Sequence, residues 1–141
     1  MEPLEMLSRK QLEALKTVAS LSNNQKGVPL KIIATALNIR PPSALELLRA
    51  LENLHLVSRK SGRTKLTKTG LNCLDEYYRH RRVLEVLFFK LMDQDSSMKA
   101  IKEAELAFSH ETVQRIWAGE GKPEHCPHGQ PIRPFDSGTE G

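Results

Sequence analysis

Near the end of the 141-residue chain, EHCPHGQPI (residues 124–132) places Cys126 between His125 and His128. Thiolate and imidazole are the ligands of zinc and other borderline cations. Three such groups with Pro127 among them do not easily converge on one ion. A strong zinc pattern pairs such a cluster with a second one elsewhere. No second cluster occurs in the sequence, although Cys73, His80 or His110 can each add one ligand. The segment therefore reads as a structured loop, with metal or redox chemistry at Cys126 as the alternative. Another stretch, RKSGRTKLTK (59–68), carries Arg59, Lys60, Arg63, Lys65 and Lys68 and no acidic residue. Such a run can lie along a phosphate backbone and release counterions. There is no phosphate-cradling glycine loop and no nucleophile with a paired base, so no enzyme is expected.

These residues sit in a chain of ordinary globular composition, 39% hydrophobic and 27% charged. No apolar run approaches the roughly 20 residues that span a bilayer, so no membrane partner is expected. The first ten residues lack the pattern of a secretory signal. Two distant cysteines, Cys73 and Cys126, suit a reducing compartment, the cytoplasm, and no disulfide framework. The net charge of +4 hides an asymmetry. Residues 1–70 carry 12 Lys+Arg against 5 Asp+Glu, whereas residues 71–141 carry 9 against 12. Two solvated faces of differing sign would explain this, but the first half is also basic enough to seek a polyanion.

The elements that would position these groups are mostly helical. Residues 7–21 form a helix opened by a capping box, Ser8 with Gln11, and Leu12, Leu15, Val18 and Ala19 make its apolar face. Residues 28–39 predict a second helix with Ile32, Ile33, Ala36 and Leu37 buried. After the break at Arg40-Pro41-Pro42, residues 43–57 predict a third, with Ala44, Leu47, Leu48 and Leu51 facing inward. Residues 56–67 read as a β-hairpin around KSGR. Residues 70–92 form a long helix whose apolar stripe includes Leu74, Leu84, Leu87, Phe88 and Leu91. So wide a stripe calls for a partner helix. A fifth helix over 97–108 and a sixth from Ser109 follow. Residues 122–141, rich in Pro and Gly, read as a polar loop and tail.

Three helices and a hairpin within about 60 residues match a winged helix-turn-helix. The fold class is therefore mainly α: a winged helix over 1–70, a helical dimerisation domain over 71–121 and a tail over 122–141. The third helix would read DNA. Arg40 can reach phosphate or guanine, Pro42 a thymine methyl, Ser43 phosphate or a base edge, and Glu46 a cytosine amino group. Arg49 lies on the same outer side. The basic hairpin would supply most of the affinity. Winged helices also serve as protein-interaction modules, and that reading stays open.

The blocks PPSALELLRALENLHLV, LTKTG, YRHRRVLEVLF, SHETVQRIW and CPHGQPI, in this order and spacing over residues 8–132, resemble the diphtheria-toxin-repressor family of iron- and manganese-dependent transcriptional regulators. The resemblance implies a winged-helix head, a helical dimerisation domain and a homodimer on a palindromic operator of double-stranded DNA. It also implies the family's short form, without an SH3-like domain. A divalent transition metal, iron or manganese, is the implied cofactor. Its ligands would come from the first, fourth and fifth helices. Carried over by the SHETVQRI block, the fifth-helix positions are Met98, Lys102, Glu105 and Leu106, of which only Glu105 can ligate. On the fourth helix Arg81 takes the histidine position, Glu85 is kept and His80 lies one residue away. Glu13 stands in the first. Three carboxylates thus remain, and two cations, Arg81 and Lys102, have arrived. These can replace the metal by pairing with Glu13, Glu85 and Glu105. The open choices are a rebuilt metal site, a metal-independent regulator, or one that senses redox state at a cysteine.

Overall fold

The computed structural model describes residues 3–22 and 26–135. The chain forms two compact units that divide between Asp75 and Glu76.

In the first unit, α1 (Arg9–Leu21) begins with the expected capping box. The Ser8 hydroxyl accepts from the Gln11 amide at 3.2 Å, and the Gln11 side chain accepts from the Ser8 amide at 3.0 Å. Leu12, Leu15 and Val18 are buried beneath it. The second helix starts later than the sequence predicts. Val28–Pro29 form a short strand, β1, and α2 runs only over Leu30–Leu37. Proline fixes its own φ and drives the preceding residue to an extended conformation, so the helix can begin only after Pro29. A shorter helix offers a narrower apolar face: Ile33 and Ala34 are buried, while Ile32 and Ala36 are exposed. A left-handed Asn38 (φ 57°) ends α2. Arg40 caps α3 (Pro41–Asn53), whose first turn holds both prolines, where their missing N–H groups are not needed. Ala44, Leu48 and Leu51 are buried and Leu47 is half-buried.

The hairpin pairs β2 (Val57–Lys60) with β3 (Arg63–Leu66), and Ser61 and Gly62 form the turn at φ 54° and 74°. Two positive φ values match the twist of a two-residue hairpin loop. β1 joins the other edge of β3, with Val28 opposite Thr64, so the sheet order is β1-β3-β2. At the hairpin's root, Thr67 donates to the His55 carbonyl at 2.6 Å and its hydroxyl accepts from the Gly70 amide at 2.9 Å. This cap starts α4 (Lys68–Leu91). Gly70 packs so closely that an added Cβ would lie 2.0 Å from the Leu56 carbonyl oxygen.

The second unit contains the rest of α4, then α5 (Gln94–Ala104) and α6 (His110–Gly119). α5 opens and closes before the predicted 97–108, because the Asp93 carboxylate accepts from the Ser96 amide at 2.8 Å and caps an earlier first turn. Those bonds also hold the Asp93 carboxyl below its usual range. Ser109 caps α6 through the Thr112 amide. Residues 122–135 of the expected loop and tail form a packed segment. His125 bridges Pro131, and Cys126, Ile132 and Phe135 are buried with Val83, Val86, Val113 and Trp117. The Trp117 indole donates to the Pro123 carbonyl at 3.0 Å. Burying side chains such as Ile132 and Phe135 is worth about 1.5–3 kcal/mol each, enough to order a loop rich in turns. Residues 136–141 of the predicted tail lie outside the described residues.

Candidate metal centre and nucleic-acid interface

α4 is the scaffold of the second unit's polar chemistry. One of its carboxylates, Glu85, is buried, and two groups of the 126–128 loop come to it. His128 Nδ1 lies 2.9 Å from Glu85 Oε1. The ligand atoms of Glu85, Cys126 and His128 all lie within 4.8 Å of one another. Glu85 and Cys126 are buried and His128 is exposed, so the cluster opens to solvent on one side. It borders a cleft of about 290 Å³ lined by Tyr78, Arg81, Met98 and Gln130. The edge of the Phe89 ring meets the His128 imidazole at 5.3 Å between centroids. A carboxylate, a thiol and an imidazole suit Zn²⁺ or Fe²⁺ better than the harder Mn²⁺.

Arg81 occupies the space between Glu85 and Glu105. Its Nε lies 3.7 Å from Glu85 and its Nη1 3.5 Å from Glu105. Tyr77 completes the group: its hydroxyl donates to Glu105 at 2.7 Å and accepts from Arg81 at 3.4 Å. Burial works against the Arg81 charge, but the Tyr77 hydroxyl and the two carboxylates more than offset it, raising its pKa. Lys102 lies on α5 at an exposed position. Glu13 belongs to the first unit and pairs with Lys16 at 3.5 Å.

His80 does not join Glu85 and Glu105. The two α4 positions differ by five residues, which is roughly 140° around a helix. His80 turns instead to Glu76 and to His110 on α6. Nε2 of His80 is 3.3 Å from Glu76 Oε1 and 3.0 Å from His110 Nδ1, which is itself 2.7 Å from the same oxygen. Arg79 donates to both Glu76 oxygens, at 2.6 and 2.8 Å, and to the Arg133 and Pro134 carbonyls. Its guanidinium lies over the Phe135 ring. Burial raises the Glu76 pKa, but hydrogen bonds from His80 and Arg79 and their charges prevail, lowering it to about 2. Sequence reasoning missed Glu76 and Arg79. The available signal was the i, i+4 spacing of Glu76 and His80, which puts both on one helix face.

In the first unit, Arg40, Pro42, Ser43, Glu46 and Arg49 are all exposed along α3. Lys60, Arg63 and Lys65 are exposed on the hairpin and Arg59 is half-buried. A basic hollow of about 390 Å³ lies among Lys26, Ser58, Lys60, Ser61, Arg63 and Lys65. Leu84, expected on a partner-facing stripe, is fully buried within its own chain. Leu87 and Phe88 are half-buried, and Leu71, Tyr78, Leu91 and Met92 are exposed. Among the described residues no helix is long and apolar enough to cross a membrane.

The sequence profile of the "Iron dependent repressor, metal binding and dimerisation domain" matches residues 67–134. No curated protein matches the chain in sequence. Several solved structures share its fold. The hypothetical protein SSo2273 from Sulfolobus solfataricus is 27% identical with a TM-score of 0.83, over 90% of this chain and 99% of that one. ScaR with bound Zn²⁺ is 26% identical with a TM-score of 0.73, over 86% of this chain and 58% of that one. A manganese-dependent transcriptional repressor in complex with manganese is 27% identical with a TM-score of 0.65, over 89% of this chain and 59% of that one. The chain thus spans about three fifths of the length of these two regulators. The profile match thus marks residues 67–134 as similar to an iron-dependent repressor's metal-binding and dimerisation domain, and the chain shares its fold with metal-dependent repressors.

Proposed function

We propose that the chain is a non-enzymatic, metal-responsive transcriptional repressor. It would bind a palindromic operator in double-stranded DNA as a homodimer. The observation that carries this reading is the convergence of Glu85, Cys126 and His128 inside a segment that matches a metal-binding and dimerisation domain. A metal there would neutralise the buried carboxylate and tie the 126–128 loop to α4. Glu85 and Cys126 would hold the ion from the protein interior, and His128 would close the site from the solvent side. The α3 residues Arg40, Pro42, Ser43, Glu46 and Arg49 would face the major groove. Arg59, Lys60, Arg63 and Lys65 would contact phosphates. The exposed Leu91, with Leu87 and Phe88 beside it, would meet the second copy.

A second reading is favoured by Arg81, which already bridges Glu85 and Glu105. As a resident cation it would hold the DNA-binding form without metal. One experiment separates the two. A random duplex pool is enriched by the protein with Zn²⁺ or Fe²⁺, and in parallel with EDTA. Enrichment of a palindrome only with metal supports the first reading, and equal enrichment in EDTA supports the second. Enrichment in neither condition defeats both. Lys60→Ala or Arg63→Ala should lower the slope of log affinity against log salt by about 0.9 each. A slope that does not change would remove the hairpin from the interface.

A further inference from the structure

The Glu76–His80–His110 cluster shares no residue with the Glu85 site or with the ligand positions carried over from the family, although His80 adjoins Arg81. We propose that it is a second metal site, one that takes Zn²⁺ or Co²⁺ through two imidazoles and a carboxylate. The geometry carries the proposal. Glu76 Oε1, His80 Nε2 and His110 Nδ1 form a triangle with edges of 2.7, 3.0 and 3.3 Å. Ligand atoms about 2.0–2.1 Å from a tetrahedral zinc lie roughly 3.3–3.4 Å apart. The three atoms therefore already form nearly one face of such a shell, and small side-chain rotations would complete it.

Burial points the same way. The His80 side chain is 4% exposed and Glu76 12%, whereas His110 is 29% exposed and leaves the fourth position open to water. An imidazole in its neutral form carries the lone pair that a metal uses. Arg79 grips both Glu76 oxygens and aims the carboxylate, as outer groups commonly do around metal ligands. The same guanidinium opposes a dication, so affinity should be below that of a thiolate-rich site. Phe135 covers the cluster, its ring centroid 5.4 Å from that of His110 and 6.4 Å from that of His80. An ion here would clip α4 to α6 beneath the last described residues.

The test uses the full chain with Co²⁺ as the probe. In Cys126→Ser, the thiolate site is disabled. This variant should still bind one Co²⁺ per chain, with the ligand-field bands of a four-coordinate ion and no thiolate-to-cobalt charge transfer. Adding His110→Ala should weaken that binding by at least about 100-fold, with circular dichroism unchanged. Wild-type protein provides the same reading should Cys126→Ser not fold, since only the Glu85 site gives the thiolate band. Wild type should then take up a second Co²⁺ that adds none of it. A single Co²⁺ per wild-type chain that carries the thiolate band, or Co²⁺ binding by Cys126→Ser that survives His110→Ala, would overturn the proposal and leave a hydrogen-bonded network only. Loss of the thiolate band alone would bear on the proposed function and not on this second site.

Discussion

α4 carries a half-buried carboxylate, Glu76, and a buried one, Glu85, and the protein treats them differently. Nine residues separate them, so they point to roughly opposite sides of the helix. Each has an arginine and a histidine beside it. Around Glu76 the cation is close: Arg79 sits at 2.6 and 2.8 Å and is almost wholly buried. Around Glu85 the cation is loose: Arg81 sits at 3.7 Å, shares itself with Glu105 and is 28% exposed. The first carboxylate is fixed in place by Arg79, with Oε1 beside His80 and His110. The second is only lightly held and faces a thiol and a cleft.

Substitution should separate the two most sharply. Glu76→Gln leaves Arg79 buried without its counter-ion, and about 3 kcal/mol of stability should be lost. Glu85→Gln leaves Arg81 with Glu105, and about 1 kcal/mol is expected. Urea unfolding in EDTA measures both, and equal losses would erase the distinction.

Acid should act through Glu76 at a similar scale. Its folded pKa, about 2, lies below its ordinary 4.5. Its contribution is therefore complete above pH 4.5 and disappears as the pH falls towards 2, on the order of 3 kcal/mol in all. The difference in stability between wild type and Glu76→Gln, followed from pH 6 to pH 2, should shrink accordingly. A constant difference would mean that the carboxylate is not ionically held.

Exchanging the loose cation should sharpen the contrast. Arg81→His puts an imidazole beside Glu85 and removes a repelling charge. The affinity for Zn²⁺ should rise about tenfold by chelator competition, and unchanged affinity would show that Arg81 does not contest the site. The smallest effect is expected at the rim of the other cluster. Arg133 is 58% exposed and 3.4 Å from Glu76. Arg133→Ala should tighten Co²⁺ binding there by roughly threefold, the scale of one exposed pair. Weaker binding would mean that Arg133 helps to organise the ligands.

The head was readable because its determinants are local. Capping pairs, prolines, a turn glycine and a run of cations act within a few residues, and Ser8, Pro41 and Gly62 do what their types predict. β1 was hidden because pairing with β3 spans more than 30 residues, although Pro29 marked the late start of α2. The buried clusters were less legible for the same reason. Cys126 and His128 lack a ligand partner until the fold delivers Glu85 from 41 residues away. His110 meets His80 across 30 residues. The family resemblance directed attention to Arg81 and Glu105, which do pair. It gave no cause to look at Glu76, a residue outside the ligand positions carried over.

The contact between Gly70 and the Leu56 carbonyl has a consequence for engineering. A hydrogen there lets the first turn of α4 lie against the root of the hairpin, and a methyl group would sit inside an oxygen atom. A library randomised across residues 67–72 and selected only for soluble expression should return glycine at position 70, whatever emerges at its neighbours. Chimaeras that graft a different hairpin onto this helix must bring their own Thr67–Gly70 junction with them.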